Sequence, residues 1–300
     1  MTNAPVVVGV DGSPAGLDAV EVAAREARLR RRGLHIVHAF IWPALHVPLG
    51  PSPLGPAEGG LRNQAHAIVA DAVRRAHAVA PDIEVTNAIV TGEPLTVLEA
   101  QSRHVPLVVV GSRGLGSFLG LLLGSTAVHL AAHSHCPVLV ARGGVRTGGD
   151  IVLGVDGSPE GEAAVGFAFA EASLHGARLV ALHAWSTWNT WPDRDVRDPG
   201  DPPIVSFDKA RLRAAEERVL SEVLSGWKAT YPDVVVERRL VEERTRPALI
   251  EASRSARLTV VGARGRGGFS GLLMGSVSQA LLHHAYGPVA VVRGPHGTAA

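Results

Sequence analysis

Dense apolar runs alternate along the chain with longer amphipathic stretches. Residues 6–10, 34–39, 83–90, 107–110 and 138–141 are short and rich in β-branched side chains, which predicts strands buried on both faces of a parallel sheet. Between them, residues 15–32, 61–80, 95–103 and 125–135 repeat apolar positions at helical spacing. In the first of these helices Ala19, Val22, Ala23, Ala27 and Leu29 form one stripe, and Gly33 is the expected C-terminal stop. An order βαβαβαβαβ requires right-handed crossovers and puts helices on both faces of an open parallel sheet.

The pattern occurs twice. Val7-Val8-Gly9-Val10-Asp11-Gly12-Ser13-Pro14 returns as Val152-Leu153-Gly154-Val155-Asp156-Gly157-Ser158-Pro159, an offset of 145, and residues 108–114 and 136–140 return at 259–265 and 287–291, an offset of 151. A period near 150 means duplicated domains, here 1–145 and 146–300, with six residues inserted inside the second. The fold class expected is α/β: two tandem Rossmann-like domains, each a five-stranded parallel sheet with helices on both faces, joined by a Gly/Arg-rich linker over 142–149. Each sheet would end in an apolar fifth strand, 138–141 or 289–292. A bare edge of that kind invites pairing, so the repeats are expected to pack together and the chain to form a homodimer.

Composition narrows the function. The chain has 300 residues, 46% of them hydrophobic, and a net charge of +1 from 29 basic and 28 acidic side chains, so it carries no field suited to a polyanion and no nucleic-acid partner is expected. The single cysteine, Cys136, excludes an internal disulfide and Cys-pair zinc sites. The first five residues form no basic n-region and no apolar run approaches the ~20 residues of a membrane span, so a cytoplasmic protein without a membrane partner is expected.

Ligands of open α/β sheets bind outside the carboxyl ends of the strands, where strand order reverses, so chemistry is sought after strands one and four. After strand four stands Gly111-x2-Gly114-x9-Gly124-Ser125, repeated as Gly262-x2-Gly265-x9-Gly275-Ser276. Glycines admit positive φ and close approach of a phosphate to backbone amides, and Ser125 and Ser276 are expected N-caps of helices whose N–H groups attract anions. The lysines, Lys209 and Lys228, are far from these loops, which excludes Walker A, and strand one lacks the G-x-G-x-x-G of dinucleotide sites. Phosphate contacts are then left to amides, hydroxyls and Arg113 or Arg264. Asp11 and Asp156, ending strand one, suit a ribose hydroxyl or a metal-bound water, and equally an Asx-turn.

Gly-Val-Asp-Gly-Ser on strand one followed by Gly-x2-Gly-x9-Gly-Ser after strand four resembles the universal stress protein family, in particular its tandem, ATP-binding type, across both copies. That resemblance implies a sheet of order 3-2-1-4-5 with ATP and Mg²⁺ at the switch point of each repeat. Carried over, Gly111, Gly114, Gly124, Ser125 and Thr126, with Gly262, Gly265, Gly275, Ser276 and Val277, would hold phosphates and ribose. Val10, Asp11, Gly12 and Ser13, with Val155, Asp156, Gly157 and Ser158, would line the ribose and metal side, and the main chain around Ala39 and Ala184 would meet adenine. One departure is that Gly92-Glu93-Pro94 of copy one faces Arg244-Thr245-Arg246-Pro247 in copy two.

Three function classes follow: a regulatory ATP-binding stress protein, a slow ATP-hydrolysing enzyme, and a scaffold with vestigial sites. No base or lysine recurs at the phosphate loops, so at most weak ATPase activity is expected, and both motifs are intact, which favours regulatory binding. His129, His133, His135 and Cys136 have metal-ligand chemistry, but Ala280, His284, Tyr286 and Gly287 replace them in copy two, so no metal is assigned there. Trp185, Trp188 and Trp191 either cap a nucleotide or pin their own loop.

Overall fold

The computed structural model describes residues 4–40, 57–114, 124–186, 209–266 and 273–294, and of 57–61 the backbone alone. Trp188 and Trp191 lie outside those residues. The first repeat runs β1 (Val6–Gly9), α1 (Pro14–Leu29), β2 (Leu34–Phe40), α2 (Ala57–Val79), β3 (Val85–Thr91), α3 (Pro94–Ser102), β4 (Val108–Gly111), α4 (Ser125–His133) and β5 (Val138–Ala141). The second runs β6 (Ile151–Gly154), a 3₁₀ turn (Pro159–Gly161), α5 (Glu162–His175), β7 (Leu179–Trp185), α6 (Lys209–Val223), α7 (Trp227–Thr230), β8 (Val236–Glu242), α8 (Thr245–Ala252), β9 (Leu258–Gly262), α9 (Ser276–His284) and β10 (Val289–Val292). Each repeat therefore has the expected five strands.

Helix α1 shows why these segments fold as they do. The Ser13 hydroxyl accepts the Gly16 N–H at 3.0 Å, Pro14 opens the first turn, and Ala19, Val20, Ala23, Ala24 and Ala27 bury one face. Its stop differs from expectation: Arg31, with φ +52°, takes the left-handed position two residues before Gly33. Gly33 answers a contact instead, since a Cβ there would lie 3.2 Å from the Glu84 carbonyl.

The strands form one ten-stranded sheet of order β3-β2-β1-β4-β5-β10-β9-β6-β7-β8. Each half is parallel with the expected 3-2-1-4-5 order. Alternate residues point to opposite faces: Val6 and Val8 enter a layer with α1, α2, α5 and α6, and Val7, Val108 and Val110 enter the layer of α3, α4, α8 and α9. Both layers run unbroken across the repeats.

The halves join through β5 and β10, which pair antiparallel with Val140 opposite Val289 and Val138 opposite Val291. The two apolar edges expected to seek a partner thus cover each other inside one chain, and a homodimer has no open β5 or β10 to form through. The stretch 142–149 is a clamp rather than a free linker. Arg142 donates to the carbonyls of Leu282, His283 (2.9 Å) and Ala285 (3.1 Å), and Arg146 to those of Ser253, Arg254, Ala256 and Tyr286 at 2.7–3.0 Å. Leu282 and His283 lie in the last turn of α9, and the other acceptors lie just past the ends of α8 and α9, where a helix lacks donors and favours a cation.

A second joint lies between α1 and α5. Arg30 pairs with both Glu26 and Glu171, and His175 Nε2 lies 3.0 Å from Glu26 and 3.5 Å from Glu171. Glu26 and Glu171 occupy equivalent places in the two repeats, and Glu171 is wholly buried.

Candidate functional site

Strands one and four of each repeat end side by side, β1 beside β4 and β6 beside β9, at the point where strand order reverses. In the first repeat this point opens into a cavity of about 320 Å³. Of the expected residues, Val10, Asp11, Ala39, Gly111, Arg113, Gly114, Gly124, Ser125 and Thr126 line it, joined by Pro94 of the Gly92-Glu93-Pro94 turn and by Gly16 and Leu98, which sequence reasoning did not single out.

Gly12 and Ser13 stand outside the lining and build the turn beneath it. Gly12 has φ +88° and faces Ile68, while the Ser13 hydroxyl caps α1 and donates to the Arg113 carbonyl at 3.3 Å. Asp11 Oδ1 accepts the Ser13 N–H at 2.9 Å, an Asx-turn. In the second repeat Asp156 Oδ1 accepts from the Ser158 N–H (2.9 Å) and hydroxyl (2.7 Å), and Oδ2 from the Arg266 N–H (2.9 Å). Both aspartates therefore tie strand one to its own turn, and Asp156 also to the glycine loop.

The loop glycines serve approach, not left-handed backbone, because none of the six has positive φ; that conformation belongs to Gly12 and Gly157. A Cβ on Gly111 would lie 2.6 Å from the Ala15 carbonyl oxygen, so this glycine lets α1 reach the sheet. A Cβ on Gly114 would lie 2.5 Å from Asp11 Oδ2, and Gly265 leaves the same room for Asp156. Gly262 is tight against the Arg264 carbonyl at 2.9 Å. Gly124 and Gly275 are open, with nothing nearer than 3.8 and 3.5 Å. They are also the N-caps, so Ser125 and Ser276 begin their helices and no side chain caps the first amides of α4 or α9. Those N–H groups face the loops with the positive end of the helix dipole.

Two features escaped the sequence reading. His38 Nδ1 donates to the Val10 carbonyl at 2.8 Å and His183 Nδ1 to the Val155 carbonyl at 2.7 Å, each fixing the end of strand one. Their recurrence at the offset of 145 was the available signal. Arginines also follow the fifth strands: burial depresses Arg142 and Arg113 adds to it, and burial depresses Arg293, with Arg264 adding to it.

Elsewhere, His129 Nε2 lies 3.0 Å from Glu99 and its ring stacks on His133, while burial pushes the Cys136 thiol up to about 12. Trp185 is buried at the end of β7, beside Ala184. The start of α8 lies two residues away from a proline-to-proline match: Glu93 and Arg244 are the equivalent N-caps, and Leu98 and Leu249 stand against Gly9 and Gly154, so Thr245 rather than Pro247 matches Pro94.

The pattern of a family described as the universal stress protein family matches residues 2–142 and 149–293. Universal stress proteins of Mycobacterium tuberculosis and Mycobacterium bovis are each 38% identical over 323 aligned positions, covering 99% of this chain and 98% of the relative. The crystal structure of a universal stress protein from Archaeoglobus fulgidus superposes with TM-score 0.64 at 17% identity, covering 98% of this chain and 99% of that one. With both repeats matched along nearly their full length, the chain belongs to the universal stress protein family.

Proposed function

We propose that the chain is a regulatory adenine-nucleotide-binding protein that takes ATP with Mg²⁺ at the switch point of each repeat. The observation that carries this reading is the cavity of the first repeat, where open helix amides, a glycine loop and Arg113 meet at the strand ends. Amides and arginine suit a phosphate chain, and the flat apolar wall of Val37, Ala39 and Leu98 suits a base. In this reading the adenine lies toward Ala39 or Ala184, and the phosphates lie at Gly124-Ser125-Thr126 or Gly275-Ser276-Val277. Asp11 and Asp156 are held by backbone donors, so they suit a ribose hydroxyl or metal-bound water better than proton transfer. Among the described residues neither repeat brings a lysine to its glycine loop, which supports binding over turnover.

Calorimetric titration with ATP and Mg²⁺ is expected to give about two sites per chain. A stoichiometry of zero would end the reading, and phosphate release near the enzymatic norm of about 10 s⁻¹ would replace regulation with catalysis. Among the described residues no helix is long and apolar enough to cross a membrane, and we place the protein in the cytoplasm. The expected homodimer, with β5 and β10 already paired, would have to use other surfaces, and light scattering near 31 kDa would exclude it.

A further inference from the structure

The two repeats share a fold, so each is an internal control for the other. Where their equivalent surfaces differ in charge, packing does not account for the difference. One such contrast lies on the outer groove between α3 and α4 and on its counterpart between α8 and α9. In the first repeat, α3 and α4 bring Glu93 to the N-cap, Leu95 to the first turn, and Glu99 within 3.0 Å of His129. Glu99 also lies 4.0 Å from Arg103, so this groove neutralises its own charge.

In the second repeat the groove between α8 and α9 has a volume of about 520 Å³. The offset of 151 puts Arg244 in place of Glu93, Arg246 in place of Leu95, Ile250 in place of Glu99, Ala280 in place of His129 and His283 in place of Ala132. Both acids are gone, two arginines have come in, and a histidine has moved from the place of His129 to that of Ala132. Among the described residues no ion pair or hydrogen bond engages either arginine side chain, and both are exposed, as is His284 at the far end of the groove. Burial lowers the His283 pKa, with His284 and Arg142 adding to it, which reports a positive field with no acid to balance it. Gln279 and Ser276 supply neutral polar groups, and no carboxylate lines the groove.

We propose that this groove is an anion site whose ligand is a phosphate chain, held by the Arg244 and Arg246 guanidiniums with His283 and His284. Guanidiniums offer paired N–H groups that match phosphate oxygens, and the volume falls within the usual range for small-molecule sites, roughly 300–1,000 Å³. Ser276 belongs both to this groove and to the start of α9. The phosphate chain therefore has two sources: a free inorganic polyphosphate, or the outer phosphates of a nucleotide at the glycine loop of repeat two. The groove itself does not depend on the nucleotide reading.

The test gives the second repeat the residues of the first. Full-length protein and the double variant Arg244→Glu, Arg246→Leu are titrated with inorganic tripolyphosphate at about 0.15 M salt, where exposed charges are screened beyond ~8 Å. Wild type is expected to bind saturably, with one equivalent held in this groove, and the variant to bind that equivalent at least about tenfold more weakly, since each charge-assisted hydrogen bond contributes on the order of 1.5–3 kcal/mol. Both substitutions are exposed, and an unchanged melting curve confirms the fold. Repeating the titration on ATP-saturated protein separates the sources. Retained tripolyphosphate binding assigns a free polyphosphate. Binding lost to ATP, together with weaker ATP binding in the variant at one of two sites, assigns the nucleotide's own phosphates. Equal affinities for wild type and variant, or non-saturating binding, would overturn the proposal. If ATP does not bind at all, the tripolyphosphate comparison still decides it.

Discussion

Arg30→Ala should lower folding stability by about 3–5 kcal/mol, the cost of breaking a buried ion pair and leaving its partner uncompensated. Arg30 is the cation between Glu26 and Glu171, one from each repeat, and both carboxylates are almost completely buried. Burial alone raises the Glu26 carboxyl, and the His175 hydrogen bond and Arg30 charge outweigh it, so Glu26 sits below its ordinary value. Burial pushes Glu171 the other way, and Glu26 beside it adds to the rise. Without Arg30 only the His175 ring would remain to offset two buried carboxylates. Urea denaturation measures the loss, and adding Glu171→Gln should recover part of it; a loss below 1 kcal/mol would show the cluster to be energetically idle.

The same joint makes stability fall in alkali. Burial alone would lower His175, but hydrogen bonds to Glu171 and Glu26 outweigh it and raise the ring to about 9. A pKa raised from 6.5 contributes stability that is complete below about 6.5 and lost as pH rises through 9, at most about 3 kcal/mol. Arg257 Nη1, 3.0 Å from Nδ1, works against the charged ring and reduces that gain. Wild type should therefore weaken between pH 6.5 and 9, and His175→Gln should flatten that part of the curve.

Gly124→Ala should remove nucleotide from the first repeat while leaving the fold in place, and Gly111→Ala should do the reverse damage. The Gly124 backbone, φ −74° and ψ 143°, suits any residue, and an added Cβ meets nothing within 3.8 Å. It does, however, take space on the cavity wall where open amides face the ligand. Nucleotide-free stability should change by no more than about 1 kcal/mol, the scale of an N-cap exchange. The gain from ATP at a hundred times Kd, about 2.7 kcal/mol per site, should disappear for that repeat, and for both in the double variant with Gly275→Ala. Gly111→Ala drives a carbon against the Ala15 carbonyl at 2.6 Å, where backbone must move. It should cost about 1–3 kcal/mol before any ligand is added. A Gly124→Ala protein that keeps its full response to ATP would show that this glycine is not part of a phosphate site.

The elements were legible because their signals are local. Runs such as Val6–Gly9 and the Ser13-Pro14 start of α1 are set by burial and capping within a few residues. The loop glycines were legible in position but not in purpose. Spacing shows that Gly111 and Gly114 recur, whereas the atoms they make room for, the Ala15 carbonyl and the Asp11 carboxylate, come from another segment. What stayed hidden was the joint between repeats. Residues 142–149 read as a linker because glycines and arginines without periodicity look solvated, and only the arrival of α8 and α9 turns Arg142 and Arg146 into caps. Glu26 and Glu171 read as polar positions on amphipathic helices until the second repeat buries them.

The antiparallel seam between β5 and β10 also sets an order of events during synthesis. Strand β5 is complete 151 residues before its partner. At ribosomal rates of about 5–20 residues per second, the nascent first repeat holds an unpaired apolar edge for roughly 8–30 s. Every ribosome behind on the same message carries the same edge. The seam that closes the finished molecule is thus, for part of each chain's life, its most adhesive surface, and the last strand to emerge is the one that shields it.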